Sequence, residues 1–285
     1  MCAGCIAPVV VKLVSMAAGD RNVVVGNATG CLEVATTIYP YTAWKCSWIH
    51  NAFENAAATV SGVEAAYKVL KRTGKLDADY KFITFGGDGG TYDIGIQSLS
   101  GAMERGHDLV YICYDNGAYM NTGIQRSGAT PQYADTTTSP AGKKVPGKKQ
   151  WRKDLTAIMV EHNIPYAAQV APSHWRDFVT KAQKAIAING PAFINAFTPC
   201  PRGWRYDSQD GIEMCRLAVD TCMWPLYEVE EGEWKLTYRP KKKKPVTEFL
   251  KAQGRFRHLT DEMIAAVQER VDRDWEKLLK RCKEA

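Results

Sequence analysis

The segment from residue 81 to residue 123 constrains the fold of this chain more than any other. It begins with an apolar run at 82–85 whose length and content of β-branched and aromatic residues are typical of a buried strand. A segment with a helical apolar pattern at 94–105 and a second apolar run at 109–114 follow. Strand, helix and strand in this order predict a βαβ unit, whose crossover makes the two strands parallel.

Both predicted strands end in a turn that carries a side-chain oxygen. GGDGG at 86–90 contains Asp88, and DNG at 115–117 contains Asn116. The carboxyl ends of parallel strands are where open α/β sheets bind ligands. Asp88, Asn116 and the main-chain oxygen of Ala118 form an all-oxygen donor set suited to Mg²⁺, and the glycines allow a diphosphate to approach the backbone. Each turn alone is more typical of a simple connection, but two such turns at one edge favour a metal–diphosphate site.

These residues also carry a resemblance. Gly87-Asp88-Gly89, followed after a helix and a strand by Asn116, resembles the metal–diphosphate motif of thiamine diphosphate enzymes. The longer strings GGDGGTYDIG and YDNGAYMNTG resemble the β subunits of pyruvate:ferredoxin oxidoreductases (pyruvate synthases) and their 2-oxoacid relatives. The likeness extends through NATGC, NAFENAAA, PCPRGW, WPLYE and LKAQGRFRHL, and so covers nearly the whole chain.

Length and composition limit the class of protein. The 285 residues can bury a large core, and 45% hydrophobic with 24% charged residues is ordinary for a soluble globular protein. The net charge of +6 lies mainly in local lysine runs, which argues only weakly for nucleic-acid binding. No apolar stretch approaches the roughly 20 residues of a membrane span, and the start of the chain lacks the features of a signal peptide. Nine cysteines do not indicate a secreted disulfide framework, so we expect a cytoplasmic protein with free thiols.

The predicted fold class is α/β, a mostly parallel sheet flanked by helices with a C-terminal extension. We expect a thiamine diphosphate and iron–sulfur binding domain at 1–240 and a basic extension with a helix at 241–285. Further strands are predicted at 23–25, 167–170, 192–197 and 233–238. Further helices are predicted at 6–18, 54–72, 155–161 and 175–188, in a helix ending at 216–223, and in a final helix capped by Thr260 and reaching 283. Residues 39–51 are predicted to be irregular, and the polar segment 123–153 to be functional or disordered.

The CxxC pair Cys2 and Cys5 is by itself compatible with zinc, redox or iron–sulfur chemistry. The chain has no second CxxC, as zinc ribbons usually do, and the pair precedes any strand, unlike a thioredoxin-like site. A cluster with two ligands from distant loops remains, and a [4Fe–4S] cluster needs four thiolates. Cys31 follows a strand and a glycine, and Cys200 lies between two prolines after a strand. The residues alone leave open sets that use Cys46, Cys215 or Cys222.

The resemblance selects Cys2, Cys5, Cys31 and Cys200 as the ligands of a [4Fe–4S] cluster, because they match the CxxC, ATGC and PCPxGW cysteines of the family. Two departures from the family pattern are present. Family members usually carry a segment before the first cysteine, and a glycine where this chain has Ile6. These departures suggest a cluster that is more exposed, more oxygen-sensitive or covered by a partner chain.

The resemblance implies three cofactors, which are thiamine diphosphate, Mg²⁺ and the cluster. The implied cofactor-binding residues are Gly87, Asp88, Gly89, Asn116, Ala118, Tyr119 and Thr122. Asn121 matches a family residue that faces the reacting centre, although a plain turn asparagine is the alternative. Arg126 and Ser127 follow closely enough to approach the diphosphate.

The activity implied is oxidative decarboxylation of pyruvate to acetyl-CoA and CO₂, or the reverse, with electrons passed through the cluster to ferredoxin. The family places the glutamate that activates thiamine on the α subunit, so the implied partners are the α subunit, further subunits, ferredoxin, coenzyme A and a 2-oxoacid, with no nucleic acid and no membrane. Alternatives are the same chemistry on oxalate or a branched-chain 2-oxoacid, an electron-transfer subunit without thiamine, and a thiamine decarboxylase or synthase without redox function.

Overall fold

The computed structural model describes residues 1–283, and its centre is one eight-stranded sheet. The strands are β1 (Val23–Ala28), β2 (Ser47–Asn51), β3 (Lys81–Gly87), β4 (Leu109–Asp115), β5 (Tyr166–Val170), β6 (Ala192–Phe197), β7 (Leu226–Glu230) and β8 (Glu233–Tyr238). Their order is β2-β1-β3-β4-β6-β5-β7-β8. The first six are parallel, whereas β7 is antiparallel to β5 and to β8. The predicted α/β class with a mostly parallel sheet is confirmed.

Helices cover both faces of the sheet. They are α1 (Ala7–Ala18), α2 (Cys31–Thr36), α3 (Ala56–Arg72), α4 (Ile96–Glu104), α5 (Leu155–Val160), α6 (Trp175–Ala187), α7 (Pro201–Trp204), α8 (Gly211–Asp220), α9 (Val246–Lys251) and α10 (Asp261–Arg281). One apolar core joins the sheet to α1, α6, α8, α9 and α10, and a second joins it to α3, α4 and α5. In β4, Ile112 belongs to the first core and Tyr111 to the second, as the period of two along a strand requires. Among residues 1–283, no helix is both long enough and apolar enough to span a membrane.

Several element predictions are confirmed and others are wrong. The strands at 192–197 and 233–238 and the βαβ unit of β3, α4 and β4 are present. Residues 39–51 are not wholly irregular, because 47–51 pair with β1 as the edge strand β2. The helix expected to start at 94 is α4, which begins at Ile96, and a separate π-helical turn, Gly89–Ile94, precedes it and includes part of the glycine run. The helix expected to end at 223 ends at Asp220, and Cys222 already has a φ of 58°.

The polar segment 123–153 contains no named helix or strand, and the structure describes all of it. The segment is a defined loop, and Lys148, whose side chain is 1% exposed, stabilises it by hydrogen bonds from its interior. Its Nζ donates to the main-chain oxygens of Gly128 (3.2 Å) and Thr130 (2.6 Å). The lysine therefore ties residue 148 to the part of the loop at 128–130.

The C-terminal residues pack on the same core as the sheet. Val246, Phe249, Val267 and Val271 belong to the first apolar core. The Thr260 hydroxyl accepts a hydrogen bond from a main-chain N–H in the first turn of α10, as a helix N-cap does. The division into 1–240 and 241–285 stays a prediction, and residues 284–285 lie outside the described part of the chain.

Candidate cofactor-binding site

Four neighbouring parallel strands deliver the predicted ligands to one edge of the sheet. In the order β1-β3-β4-β6, the segments that directly follow these strands carry Cys31, Asp88, Asn116 and Cys200. Parallel strands end at the same edge, so residues 88 and 116 meet although 28 positions separate them. The topology thus explains why ligands far apart in sequence gather here.

Asp88 is fully buried at the end of β3. Its Oδ1 accepts the main-chain N–H of Asn116 (3.1 Å), and its Oδ2 accepts the hydroxyl of Ser127 (2.5 Å). Burial, and secondly the charge of Asp115, raise the pKa of the Asp88 carboxyl to about 8. A buried carboxylate without a cationic contact is costly, so this environment favours a bound cation.

The side chain of Asn116 lies between Asp88 and Ala118. One orientation of its amide places Nδ2 2.9 Å from Asp88 Oδ1 and 2.8 Å from the main-chain oxygen of Ala118. The opposite orientation places Asn116 Oδ1 at that position, so that it lies beside Asp88 Oδ1 and the main-chain oxygen of Ala118. Ligand oxygens on adjacent corners of a six-coordinate Mg²⁺ lie about 2.9 Å apart, given Mg–O distances of roughly 2.0–2.1 Å. The predicted donor set therefore fits Mg²⁺.

The predicted magnesium site at Asp88 differs from metal sites that are built from several acidic, histidine or cysteine side chains. Within residues 1–283, no group of three or more His, Cys, Asp or Glu side chains is arranged to hold a single metal ion. The site at Asp88 would instead combine one carboxylate, one amide and one main-chain carbonyl. Magnesium commonly takes only one or two carboxylates from the protein and completes its shell with water and phosphate.

A buried network that the sequence did not reveal supports the second turn. Asp115 accepts the hydroxyl of Tyr92 (2.7 Å) and Nη2 of Arg152 (2.5 Å), and the N–H of Gly117 donates to it (3.1 Å). Asn195 donates to the same tyrosine hydroxyl (2.7 Å). Because Asp115 precedes Asn116 directly, these bonds fix the position of the predicted magnesium ligand. Arg152 lies 37 residues from Asp115 in an otherwise featureless polar segment, so no local signal indicated it.

Apart from the fully buried Asp88, the residues predicted to bind the cofactor line one small cleft. Its lining comprises Thr29, Gly30, Cys31, Phe53, Gly87, Gly89, Gly90, Tyr114, Asn116, Ala118, Tyr119, Met120, Asn121 and Thr122. A Cβ at Gly89 would lie 2.4 Å from the ring of Tyr119, so only glycine fits there. Burial raises the pKa of the Cys31 thiol, and the nearby Asn121 side chain offsets part of that rise. Thr122 is exposed and its hydroxyl donates to Gln125 (2.6 Å), within its own loop.

A larger cleft lies between residues 151–155, residues 222–227 and α10. Its lining includes Arg152, Trp224 and Trp275 but none of the residues predicted for the cofactors. Size therefore does not identify the site. The convergence of oxygen donors and thiols at the carboxyl edge of the sheet identifies the smaller cleft.

The four predicted cluster ligands lie within range of one another's charge. Burial raises the pKa of the Cys5 thiol to about 11, and Cys200, Cys31 and Cys2 add to that rise. Cys2 and Cys5 form a turn closed by a hydrogen bond from the N–H of Cys5 to the oxygen of Cys2 (3.2 Å). Cys200 Sγ accepts the N–H of Gly203 (3.3 Å) at the start of α7.

Unpartnered polar atoms surround these thiols. Among the residues that the structure describes, the buried Tyr114 Oη, Tyr206 Oη and Arg255 Nη2 lack a hydrogen-bond partner. Cys31 is close enough to Tyr114, and Cys200 to Tyr206 and Arg255, for the thiolate charges to act on their pKa values. Buried donors rarely stay unsatisfied. An iron–sulfur cluster, whose sulfurs accept hydrogen bonds, fits this set of donors and thiols.

Trp204 connects the two halves of the site. Its main-chain N–H donates to the oxygen of Cys200 (2.9 Å), and its indole Nε1–H donates to the oxygen of Asn116 (2.6 Å). The PCPRGW motif was singled out for its cysteine, and the tryptophan that closes it was missed. These two hydrogen bonds connect the loop that contains Asn116 to the loop that contains Cys200.

Comparison with known proteins agrees with this geometry. Residues 25–196 match the family model "Thiamine pyrophosphate enzyme, C-terminal TPP binding domain". The pyruvate synthase subunit PorB of Thermotoga maritima is 56% identical, over 98% of this chain and 89% of that protein. The ketoisovalerate oxidoreductase subunit VorB of Pyrococcus horikoshii is 45% identical, over 98% and 90%.

Among solved structures, a 2-oxoglutarate:ferredoxin oxidoreductase from Magnetococcus marinus has a similar fold. The TM-score is 0.60 at 19% identity, and the match covers 76% of each chain. This likeness concerns the fold, whereas the PorB and VorB likenesses concern the sequence. The chain therefore belongs to the family that contains the pyruvate synthase PorB and ketoisovalerate oxidoreductase VorB subunits, within the thiamine pyrophosphate enzymes.

Proposed function

We propose that this β subunit of a 2-oxoacid:ferredoxin oxidoreductase acts on pyruvate, and that it binds thiamine diphosphate through Mg²⁺ and carries a [4Fe–4S] cluster. The observation that carries the proposal is that Asp88, Asn116 and Ala118 meet at one edge of the sheet, near Cys31. Cys31 is one of four thiols that lie within range of one another's charge. Similarity to pyruvate synthase subunits supports pyruvate as the substrate.

In this proposal Asp88, Asn116 and the oxygen of Ala118 hold the magnesium ion, and the main chain at Gly87 and Gly89 accommodates the diphosphate. Thiamine diphosphate supplies, when bound, the carbanion centre that 2-oxoacid decarboxylation requires. The chain itself positions the cofactor and excludes water from the fully buried carboxylate. Tyr119 shapes the wall beside Gly89.

Asn121 has two roles in the proposal. It lines the cofactor cleft, where its amide would orient the substrate, and it lies near the thiol of Cys31 in the same lining. The cluster bound by Cys2, Cys5, Cys31 and Cys200 would accept electrons one at a time. Asn121 then lies where the two cofactors approach each other.

The remaining partners complete the reaction. An α subunit would supply the carboxylate that activates thiamine, coenzyme A would accept the acyl group, and ferredoxin the electrons. Further subunits and a cytoplasmic location belong to the same proposal, as does a domain division at residue 240.

The magnesium site is tested by the charge-removing variant D88N in the co-expressed complex, purified without oxygen. We expect D88N to lose at least nine-tenths of its bound thiamine diphosphate and magnesium, measured by fluorescence assay and elemental analysis. D79N is the matched control, because Asp79 is an exposed carboxylate that pairs with Lys71. Retention of both ligands by D88N would overturn the magnesium assignment.

The cluster is tested by serine substitution of each thiol. In either variant, C31S or C200S, we expect the loss of about four iron atoms and about four acid-labile sulfides per chain, which is the content of one [4Fe–4S] cluster. C46S and C222S should leave both unchanged, since Cys46 and Cys222 belong to the sets that the residues alone left open. Equal iron in C200S and wild type would contradict the assignment.

A branched-chain 2-oxoacid is a second candidate substrate, favoured by the 45% identity to a ketoisovalerate oxidoreductase subunit. Reduction of ferredoxin by the complex with pyruvate, 2-oxoisovalerate or oxalate and coenzyme A separates the candidates. We expect the highest kcat/KM with pyruvate. A preference of tenfold or more for 2-oxoisovalerate would assign the chain to the branched-chain enzymes.

A further inference from the structure

The LKAQGRFRHL motif contains a buried arginine to which the proposed function gives no role. Arg255 lies in a short 3₁₀ turn, Gly254–Phe256, and is 2% exposed. Its Nε donates to Gln253 Oε1 (2.8 Å), and its guanidinium lies 3.8 Å from the ring centroid of Trp204. Its Nη2 has no hydrogen-bond partner among residues 1–283.

Arg255 also forms no ion pair with a carboxylate among the residues that the structure describes. Asp115, the acid whose charge acts on it most, is in contact with Arg152 instead. Burial lowers the pKa of the Arg255 guanidinium to about 9, and the Cys200 thiolate is the first charge that offsets this effect. A buried cation without a partner is strongly destabilising. An anionic group beside Cys200 would compensate it.

Arg255 also lies close to the turn that follows β4. Gly117 has a φ of +74°, and a Cβ there would lie 3.1 Å from Arg255 Nη1. The guanidinium thus lies between the turn that follows β4 and the loop that carries Cys200, with Trp204 against its face. It lies near the proposed cluster and next to the proposed magnesium ligands without belonging to either donor set.

Resting on the proposed function, we propose that Arg255 is the counter-charge of the [4Fe–4S] cluster and raises its reduction potential. A cluster held by four thiolates is an anion, and reduction adds one electron and one negative charge. A fixed positive charge in a poorly solvated position stabilises the reduced state more than the oxidised state. Reduction of the cluster forms no new bond at Arg255. The electron comes from the 2-oxoacid as the complex oxidises it, and the guanidinium stays protonated.

The test is a redox titration of the complex, followed by the electron paramagnetic resonance signal of the reduced cluster. The spectrum of the C200S complex identifies which signal belongs to this chain. R255Q should lower the equilibrium constant for reduction about tenfold, which is about 59 mV for a one-electron couple. R255K keeps the charge and should stay within twofold of wild type. R257Q is the matched control, because Arg257 is exposed two residues away.

The outcomes separate this inference from the proposed function. If C200S and wild type give the same spectra, the cluster assignment itself fails. If the signal is assigned but R255Q and R257Q have equal potentials, the role of Arg255 is overturned. Only loaded molecules contribute to the signal, so partial unfolding does not mask the result. R255M, whose unbranched chain can still pack on Trp204, replaces R255Q if that variant does not fold.

Discussion

The indole of Trp204 donates to the main-chain oxygen of Asn116 at 2.6 Å, and thereby ties the end of β4 to the loop that follows β6. The same residue is the last of α7, whose first turn begins at Cys200. One buried side chain therefore positions both a proposed magnesium ligand and a proposed cluster ligand. Damage to this contact should affect both cofactors together.

We expect W204F to lower thiamine and iron content in parallel, by about half or more. The substitution removes the indole donor and leaves the Asn116 oxygen buried and unsatisfied, at a cost of ~1–3 kcal/mol. W224F is the control, since Trp224 is equally buried and its indole donates to Val170 (3.0 Å). W224F should lower stability by a similar amount but retain both cofactors. Loss of one cofactor alone in W204F would show that Trp204 does not couple the loops.

The Ser127 hydroxyl should tune the magnesium site through Asp88. S127A removes the 2.5 Å hydrogen bond to Asp88 Oδ2. Loss of such a supporting bond typically weakens metal binding about 10–100-fold. The Mg²⁺ concentration that half-saturates activity should rise accordingly, while kcat at saturating Mg²⁺ stays near wild type. S15A, the same change at an exposed position in α1, should have no effect. An unchanged Mg²⁺ requirement in S127A would contradict this role.

Whether the sequence alone could reveal a residue of this site depends on how far apart along the chain the contacting residues lie. The glycine-flanked Asp88 and Asn116 were predictable, because local turn patterns and strand periodicity place both at one edge. Trp204 and Arg152 were not, because they reach Asn116 and Asp115 across 88 and 37 residues. β2 was missed because the strand is short and lies at the sheet edge, and its alternation of buried and exposed residues is weak.

The buried ion pair of Arg152 and Asp115 should contribute strongly to stability. R152M leaves the Asp115 carboxylate charged, buried and unpaired, which typically costs ~3–5 kcal/mol. R216M breaks the exposed pair with Glu213 in α8 and should cost less than ~1 kcal/mol. Urea unfolding followed by tryptophan fluorescence measures both. A cost for R152M no larger than that for R216M would show that the network around Asp115 does not hold the second turn.

The buried Lys148 makes a prediction about pH. Burial first, and then the charges of Arg126 and Arg152, lower the pKa of the Lys148 ammonium to about 8 from its ordinary value of 10.5. Between these two values the unfolded chain binds more protons at this site than the folded chain. The free energy of unfolding must therefore rise with pH over this window. Below about pH 8 the lysine is protonated in both states and contributes no slope.

We expect the stability of K148M to rise less between pH 8 and pH 10 than that of the wild type, because methionine cannot titrate. K149M is the matched control, since Lys149 is the adjacent exposed lysine, and its pH dependence should equal that of the wild type. Urea unfolding at half-unit intervals of pH gives the three curves. If the free energy of unfolding depends on pH in the same way in K148M and the wild type, the loop keeps Lys148 protonated over this pH window. The main-chain oxygens of Gly128 and Thr130, which accept its hydrogen bonds, would then compensate for its burial.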